Sequence, residues 1–218
     1  MRINRLLIAL CMVLLISVGV YAQNSKIGVI GGVNIANVSI DADSVTTSSI
    51  TGLGIGGVLD LALSENVSIC LEPMYLQKGT KQDMQEEITT INVQMKVNYI
   101  EIPILLKILL GSGNAKPYIM AGPTIGFVMS ANMEVSFLGM TAEGDIKDLM
   151  ESLDYGVSFG GGIGFAMGNN TFFVEARYTM GLADVFKGGE FQGDIIPDEE
   201  VKTKGIQIMG GFCVPLGG

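Results

Sequence analysis

Residues 154–167, which read DYGVSFGGGIGFAM, decide the fold of this chain. Their odd-numbered positions are bulky and apolar apart from one glycine, and their even-numbered positions are Gly, Ser, Ala or Asp. A period of two is the period of a β-strand with two different faces, and it excludes an α-helix here. The stretch therefore predicts a strand with one bulky apolar face and one small or polar face.

The same alternation recurs along the chain and predicts eight strands. They are expected at residues 26–38, 51–63, 66–79, 92–109, 115–129, 154–167, 171–183 and 203–215. In the fourth strand the apolar positions change from odd to even near Tyr99. That change predicts a β-bulge near Tyr99; alternatively, Pro103 and Leu105 mark a strand that leaves the bilayer.

Short turns alternate with four long loops between the predicted strands. The long loops are expected at residues 39–50, 80–91, 130–153 and 184–202, and the acidic excess of the chain lies in them. Short turns on one side and long loops on the other are typical of outer membrane barrels with an even number of strands.

The two faces of the strands distinguish a membrane barrel from a soluble one. A soluble barrel of the lipocalin or avidin type fills its interior with bulky apolar side chains. An eight-stranded barrel has little interior room, so the small and polar face is expected inside and the apolar face against lipid. The sequence predicts an all-β, eight-stranded, antiparallel up-and-down transmembrane β-barrel with short periplasmic turns and four long acidic extracellular loops.

Residues 1–22 predict a secretory signal peptide. Arg2 and Arg5 form a basic start, residues 6–18 are apolar, and a small-residue cleavage site ends at Ala22. The apolar run is shorter than the ~20 residues of a membrane-spanning helix, which disfavours an anchor. The barrel domain is expected over residues 23–218, exported to the outer membrane.

Six charged side chains fall on the small face of the predicted strands and are expected inside the barrel. They are Asp60, Glu72, Glu101, Lys107, Glu175 and Arg177. Buried charges must pair, so they predict a structural network that blocks the interior. The alternative is a proton or ion path.

Two cysteines, Cys70 and Cys213, also face inward but lie on strands that are not neighbours, so no disulfide is expected between them. Inward methionines are expected to fill space in the interior. They are Met74, Met120 and Met209.

The composition excludes several function classes. Hydrophobic residues make up 48% of the 218 residues and charged residues 16%, whereas a disordered chain needs low hydrophobicity and high charge density. A net charge of −9 argues against nucleic acid. There is no His, which removes Ser-His, Cys-His and imidazole-metal chemistry.

No catalytic, cofactor or metal site is predicted. The glycine-rich stretches at 52–57 and 160–164 neither open a helix nor carry the Lys-Ser/Thr of a phosphate loop. The loop acids Asp145, Asp148 and Glu151, or those at 198–200, lack EF-hand spacing and are expected to be a solvated surface rather than a cation site. The sequence therefore predicts a non-enzymatic protein without a cofactor.

Five pieces of the chain resemble the PorT-like outer membrane β-barrel family of Bacteroidota, often labelled porin-family. They are KIGVIGGVNIAN at 26–37, EPMYLQKG at 72–79, YIEIPILLK at 99–107, KPYIMAGP at 116–123 and FVEARYTMGL at 173–182. The resemblance implies an outer membrane barrel without catalytic residues, in a family of which one branch is linked to type IX secretion and gliding machinery.

Two function classes remain open. One is an envelope interaction or scaffold barrel, whose acidic loops meet a protein partner of the envelope or of a secretion system. The other is a narrow, porin-like channel for small solutes or ions, which a charged interior disfavours. The sequence does not indicate an oligomeric state.

Overall fold

The computed structural model describes residues 24–40, 47–85, 90–191, 194–196 and 200–216. The predicted signal peptide at 1–22 and the acids at 198 and 199 lie outside these residues. No helix in the described residues is long and apolar enough to cross a membrane.

The described residues form twelve β-strands and one short 3-10 helix at Lys147–Leu149. The strands are β1 (Lys26–Ile40), β2 (Ser48–Ala62), β3 (Val67–Leu71), β4 (Met74–Gln85), β5 (Thr90–Leu109), β6 (Ala115–Phe137), β7 (Met140–Asp145), β8 (Leu153–Met167), β9 (Asn170–Gly181), β10 (Gly189–Phe191), β11 (Asp194–Ile196) and β12 (Val201–Pro215).

Eight of these strands close an antiparallel ring. The order around the ring is β1, β2, β4, β5, β6, β8, β9 and β12, and β12 pairs with β1 again. Like β4, β3 lies between β2 and β5, but it pairs with them at the end of the barrel that carries the short turns. The predicted all-β, antiparallel up-and-down ring of eight is confirmed.

Two residues separate β3 from β4 and divide one predicted strand in two. Glu72 is buried and Pro73 is exposed on the outer face. Proline lacks the N–H that a ladder bond needs, but the Pro73 carbonyl still accepts a hydrogen bond from the Gly57 N–H at 3.0 Å. The break therefore keeps the wall closed and leaves Glu72 inside.

Side chains alternate between the interior and an apolar outer surface, as the two-face pattern predicts. In β8, Asp154 and Ser158 are buried, whereas Tyr155 and Phe159 are 52% and 53% exposed. β12 repeats this, with Gln207 buried between two exposed isoleucines. The outer surface is the one suited to lipid.

The irregularity predicted near Tyr99 lies in β6 rather than in β5. Asn98 pairs with Ser130 and Tyr99 pairs with Val128, so Met129 is the extra residue. The inward positions of β6 accordingly change from even to odd numbers across Met129.

β5 keeps one phase throughout, which corrects the reading of this strand. Val97, Tyr99, Glu101 and Leu105 are all buried, all at odd positions. Leu105 is fully buried in the interior, so the alternative that it marks a strand leaving the bilayer is wrong. The apparent change of phase arises because apolar residues occupy the inward positions of β5 near the loops and the outward, lipid-facing positions farther from them.

The loop predicted at 130–153 is largely ordered strand. β6 continues to Phe137, and a turn at Leu138 and Gly139, with φ of 48° and 78°, leads into β7. β7 pairs with the end of β6 from Asn132↔Asp145 onwards. The ends of β5 and β6 and all of β7 thus form a three-stranded extension on the loop side of the barrel.

Candidate functional site in the barrel interior and under the loops

A layer of hydrogen-bonded polar side chains crosses the barrel between two apolar clusters. The polar layer consists of Glu72, Lys78, Glu101, Tyr118, Asp154, Glu175, Arg177, Thr203 and Gln207. The cluster on the turn side includes Ile30, Met74, Leu105, Met120 and Met209. The cluster on the loop side includes Val97, Tyr99, Val128, Leu149 and Val185.

Arg177 of β9 is at the centre of the polar layer. Its guanidinium donates to Glu72 and, at 3.3 Å, to the Glu175 carboxylate. Its Nε donates to Gln207 Oε1 at 2.6 Å. Glu175 also accepts a hydrogen bond from the Tyr118 hydroxyl at 2.8 Å. These charge-assisted hydrogen bonds offset the free-energy cost of removing the guanidinium from water.

The polar layer continues from Gln207 to the opposite wall. Gln207 Nε2 donates to Glu101 at 3.3 Å, and the Lys78 ammonium pairs with Glu101 at 2.6 Å and with Asp154 at 3.1 Å. Thr203 donates to the same Asp154 oxygen at 3.0 Å. The connected contacts therefore reach every ring strand except β1 and β2.

The structure brings four of the six predicted interior charges into the polar layer and pairs the other two with each other. Glu72, Glu101, Glu175 and Arg177 belong to the layer. Lys107 pairs with Asp60 at 2.9 Å nearer the turns, where both side chains are 15% exposed. Lys107 also lies 4.3 Å from the centroid of the Tyr118 ring, which links the pair to the layer.

Five members of the polar layer were not among the predicted interior residues: Lys78, Tyr118, Asp154, Thr203 and Gln207. For Lys78 and Asp154 the sequence carried a signal. Lys78 follows Glu72 at an even position of the same predicted strand, and Asp154 lies on the small face of residues 154–167. Tyr118, Thr203 and Gln207 are uncharged, so a search for charged residues could not find them.

Glycines of β8 make room for the polar layer. A Cβ added at Gly160 would lie 2.6 Å from the Arg177 Cβ, and one added at Gly162 would lie 2.6 Å from the Tyr118 hydroxyl oxygen. Because two non-bonded heavy atoms cannot approach so closely, these positions require the absence of a side chain. The glycine-rich run at 160–164 is explained by packing.

Cys70 and Cys213 are free and buried. The Cys70 thiol donates to Glu72 at 3.3 Å, so this cysteine supports the polar layer. The three inward methionines are in the turn-side cluster, which is the packing position predicted for them.

Two loop segments fold over the mouth of the barrel and form a loop cap, residues 146–151 and 183–187. The Ile146 N–H donates to the Ala131 carbonyl at 2.9 Å, and the Glu151 N–H donates to the Val185 carbonyl at 3.0 Å. Asp184 Oδ1 accepts the Val201 N–H at 2.9 Å. These bonds tie the loops to each other and to the strand ends.

A cavity of about 140 Å³, here called the upper pocket, lies at the loop-side end of the barrel. The cap contributes Met150, Val185 and Phe186 to its lining. The barrel wall contributes Val38, Met95, Val97, Tyr99 and Val201, and the polar lining is Lys78, Thr80 and Thr203. The pocket is thus mainly apolar, with polar groups shared with the polar layer.

The described loop acids do not form a metal site. Asp145 accepts the backbone N–H of Lys147 at 2.8 Å and thereby supports the short helix. Among the described residues, no three His, Cys, Asp or Glu side chains group as metal ligands would.

A closed antiparallel ring with an apolar outside and a filled polar interior defines the class of outer membrane β-barrels. Residues 21–187 match the family model described as "Outer membrane protein beta-barrel domain". The chain belongs to this family, and the family indicates an outer membrane location. The signal peptide stays a prediction.

Solved outer membrane proteins share low similarity with the chain. Neisserial surface protein A has 12% identity and a TM-score of 0.45, with 88% of this chain and 97% of that one covered. OprG from Pseudomonas aeruginosa has 12% identity and a TM-score of 0.46, covering 87% and 95%. Ail of Yersinia pestis, in complex with the heparin analogue sucrose octasulfate, has 12% identity and a TM-score of 0.41, covering 87% and 98%. No curated protein sequence matches the chain significantly.

Proposed function

We propose that this protein is a closed, non-enzymatic outer membrane barrel that acts at the cell surface as an interaction or scaffold protein. The observation that supports the proposal is the polar layer, because a connected set of buried side chains lies across the interior between the two apolar clusters, where a solute would have to pass. The loop end, with its cap and its three-stranded extension, is then the part available to a partner.

Conductance in planar bilayers tests the closed state. The purified protein is expected to give no single-channel steps, because side chains fill an eight-stranded barrel. Insertion is checked on the same preparation by heat-modifiable migration on gels. Reproducible steps from the inserted protein would instead support the alternative, a narrow channel for small solutes or ions.

We further propose that acidic residues of the loop end contact an envelope protein. The resemblance to the PorT-like family makes a component of type IX secretion or gliding machinery the first candidate. Glu143, Asp148 and Glu151 are exposed on the loop side, and Glu65 is exposed at a turn on the opposite side.

Crosslinking and pull-down from native outer membranes test this contact. Changing Glu143 and Glu151 to Gln together with Asp148→Asn is expected to abolish a crosslinked species that wild type gives. The control Glu65→Gln should retain it. Equal capture by both variants would show that the loop acids do not carry the contact.

A further inference from the structure

We infer that the upper pocket binds a small, neutral, mainly apolar molecule of about one aromatic ring, with one hydroxyl group. A simple phenol is the class of ligand that fits. The inference goes beyond the proposed function and does not depend on what the loop end contacts or on whether the barrel conducts.

The size of the upper pocket sets the size of the ligand. Protein interiors are close-packed, and voids much larger than a water molecule are few. An apolar cavity of about 150 Å³ accepts benzene, and the upper pocket has about 140 Å³. A single ring fits this space.

The lining of the upper pocket sets its polarity. Val38, Val97, Val201 and Met95 of the wall line the pocket together with Met150, Val185 and Phe186 of the cap. Removing apolar ligand surface from water contributes about 25 cal/mol per Å², so burial between wall and cap favours an apolar body.

One polar group in the lining lacks a hydrogen-bond partner within the described part of the chain. Tyr99 is 1% exposed, and its hydroxyl has no hydrogen-bond partner among the described residues. A buried hydroxyl without a partner is unfavourable. A ligand hydroxyl would satisfy the group once the buried Tyr99 side chain turns toward the pocket, and this pairing is the reason for including a hydroxyl in the ligand.

The charges beside the upper pocket exclude an anion. The Lys78 ammonium lies between the carboxylates of Glu101 and Asp154 and 4.6 Å from the centroid of the Tyr99 ring. Its charge is therefore already more than neutralised by two carboxylates. An anionic ligand would meet a net negative neighbourhood, so the neutral form is favoured.

Methionine methyl NMR in lipid nanodiscs, with p-cresol as the probe, tests the inference. Met95 and Met150 line the upper pocket, whereas Met167 and Met180 are 61% and 42% exposed on the lipid-facing surface. We expect saturable shift changes and ligand NOEs at Met95 and Met150. The other two methyls report partition of p-cresol into lipid.

Variants connect the signal to the upper pocket. Val201→Phe fills the space and is expected to weaken p-cresol binding at least tenfold. The same change at Val29, which is 63% exposed on the outer face, should leave binding unchanged. Tyr99→Phe is expected to weaken p-cresol binding roughly threefold to tenfold and to leave toluene binding unchanged.

Two outcomes would overturn the inference. One is a non-saturable change of equal size at all four methionines, which means partition into lipid only. The other is equal p-cresol affinity in wild type, Val201→Phe and Tyr99→Phe. Neither outcome bears on the conductance or crosslinking results, so failure of this inference is distinguishable from failure of the proposed function.

Discussion

At Arg177, one guanidinium meets two carboxylates and a glutamine amide in a barrel interior that excludes solvent. The whole residue is only 2% exposed. Removing one partner from such a group leaves uncompensated buried charge, and that cost exceeds the net contribution of the pair itself.

Arg177→Ala is expected to lower the free energy of unfolding by about 3–5 kcal/mol, because Glu72 and Glu175 lose their shared cation. The double variant Arg177→Ala with Glu72→Ala should recover part of that loss, since one unpaired carboxylate is also removed. Reversible urea unfolding in lipid vesicles measures both.

The control for this prediction is an exposed pair. Lys96 and Glu134 are 3.0 Å apart, but their side chains are 52% and 35% exposed. Lys96→Ala should cost about 0–1 kcal/mol. If Arg177→Ala cost no more than Lys96→Ala, Arg177 would not be buried in a network.

At the residue scale the sequence was informative about which side chains face inward and uninformative about which ones meet. Alternation places Glu175 and Arg177 inside without any structure. The pairing of Arg177 with Glu72 depends on the break at Pro73 and on the register across several strands. Neither can be predicted from the residue pattern of a single strand.

At the scale of single elements, β8 shows how small residues determine what can be packed behind a strand. Gly162 leaves room for the Tyr118 hydroxyl, which donates to Glu175. Gly57 of β2 is different, because an added Cβ there would have its nearest contact at 3.8 Å.

Gly162→Ala is expected to destabilise the barrel by about 1–3 kcal/mol, because the new methyl overlaps the Tyr118 hydroxyl and the Val174 carbonyl of the neighbouring strand β9. The matched variant Gly57→Ala should change the free energy of unfolding by no more than about 0.5 kcal/mol. Urea unfolding in vesicles compares the two, and equal losses would contradict the packing role of Gly162.

The elements themselves were largely predictable, because each strand carries its own two-face pattern. The strands predicted at 154–167 and 171–183 have nearly correct bounds, since β8 is Leu153–Met167 and β9 is Asn170–Gly181. The loop-side end of β6 was predicted eight residues too early. Beyond Met129 this strand leaves lipid and its inward residues pack against the loop cap, so its inward face becomes apolar and its outward face polar. A pattern that assumes one environment per strand cannot detect that inversion.

For the whole molecule, the apolar outer surface predicts where a charge is tolerated. Ile208 is 46% exposed at mid-strand in β12, and Leu138 is 66% exposed at the turn between β6 and β7. The first position faces lipid, and the second lies at the end of the extension.

Ile208→Arg is expected to cost about 2–4 kcal/mol, as for a cation near the bilayer midplane. Leu138→Arg, the same kind of change outside the hydrocarbon region, should be nearly neutral. Unfolding in vesicles distinguishes them. Similar values for the two variants would mean that the outer face near Ile208 is not in lipid.

The seam between β1 and β12 has a consequence for how the chain reaches this shape. It pairs Lys26 with Pro215 and continues to Ile40 with Val201, so the contacts that complete the ring join the most distant parts of the chain. Such a large sequence separation slows folding. Until β12 is in place, β1 and β9 each keep an open edge, and every unsatisfied backbone group in lipid costs several kcal/mol. We therefore expect the seam to close last in assembly, and deleting β12 should leave no partial barrel in the membrane.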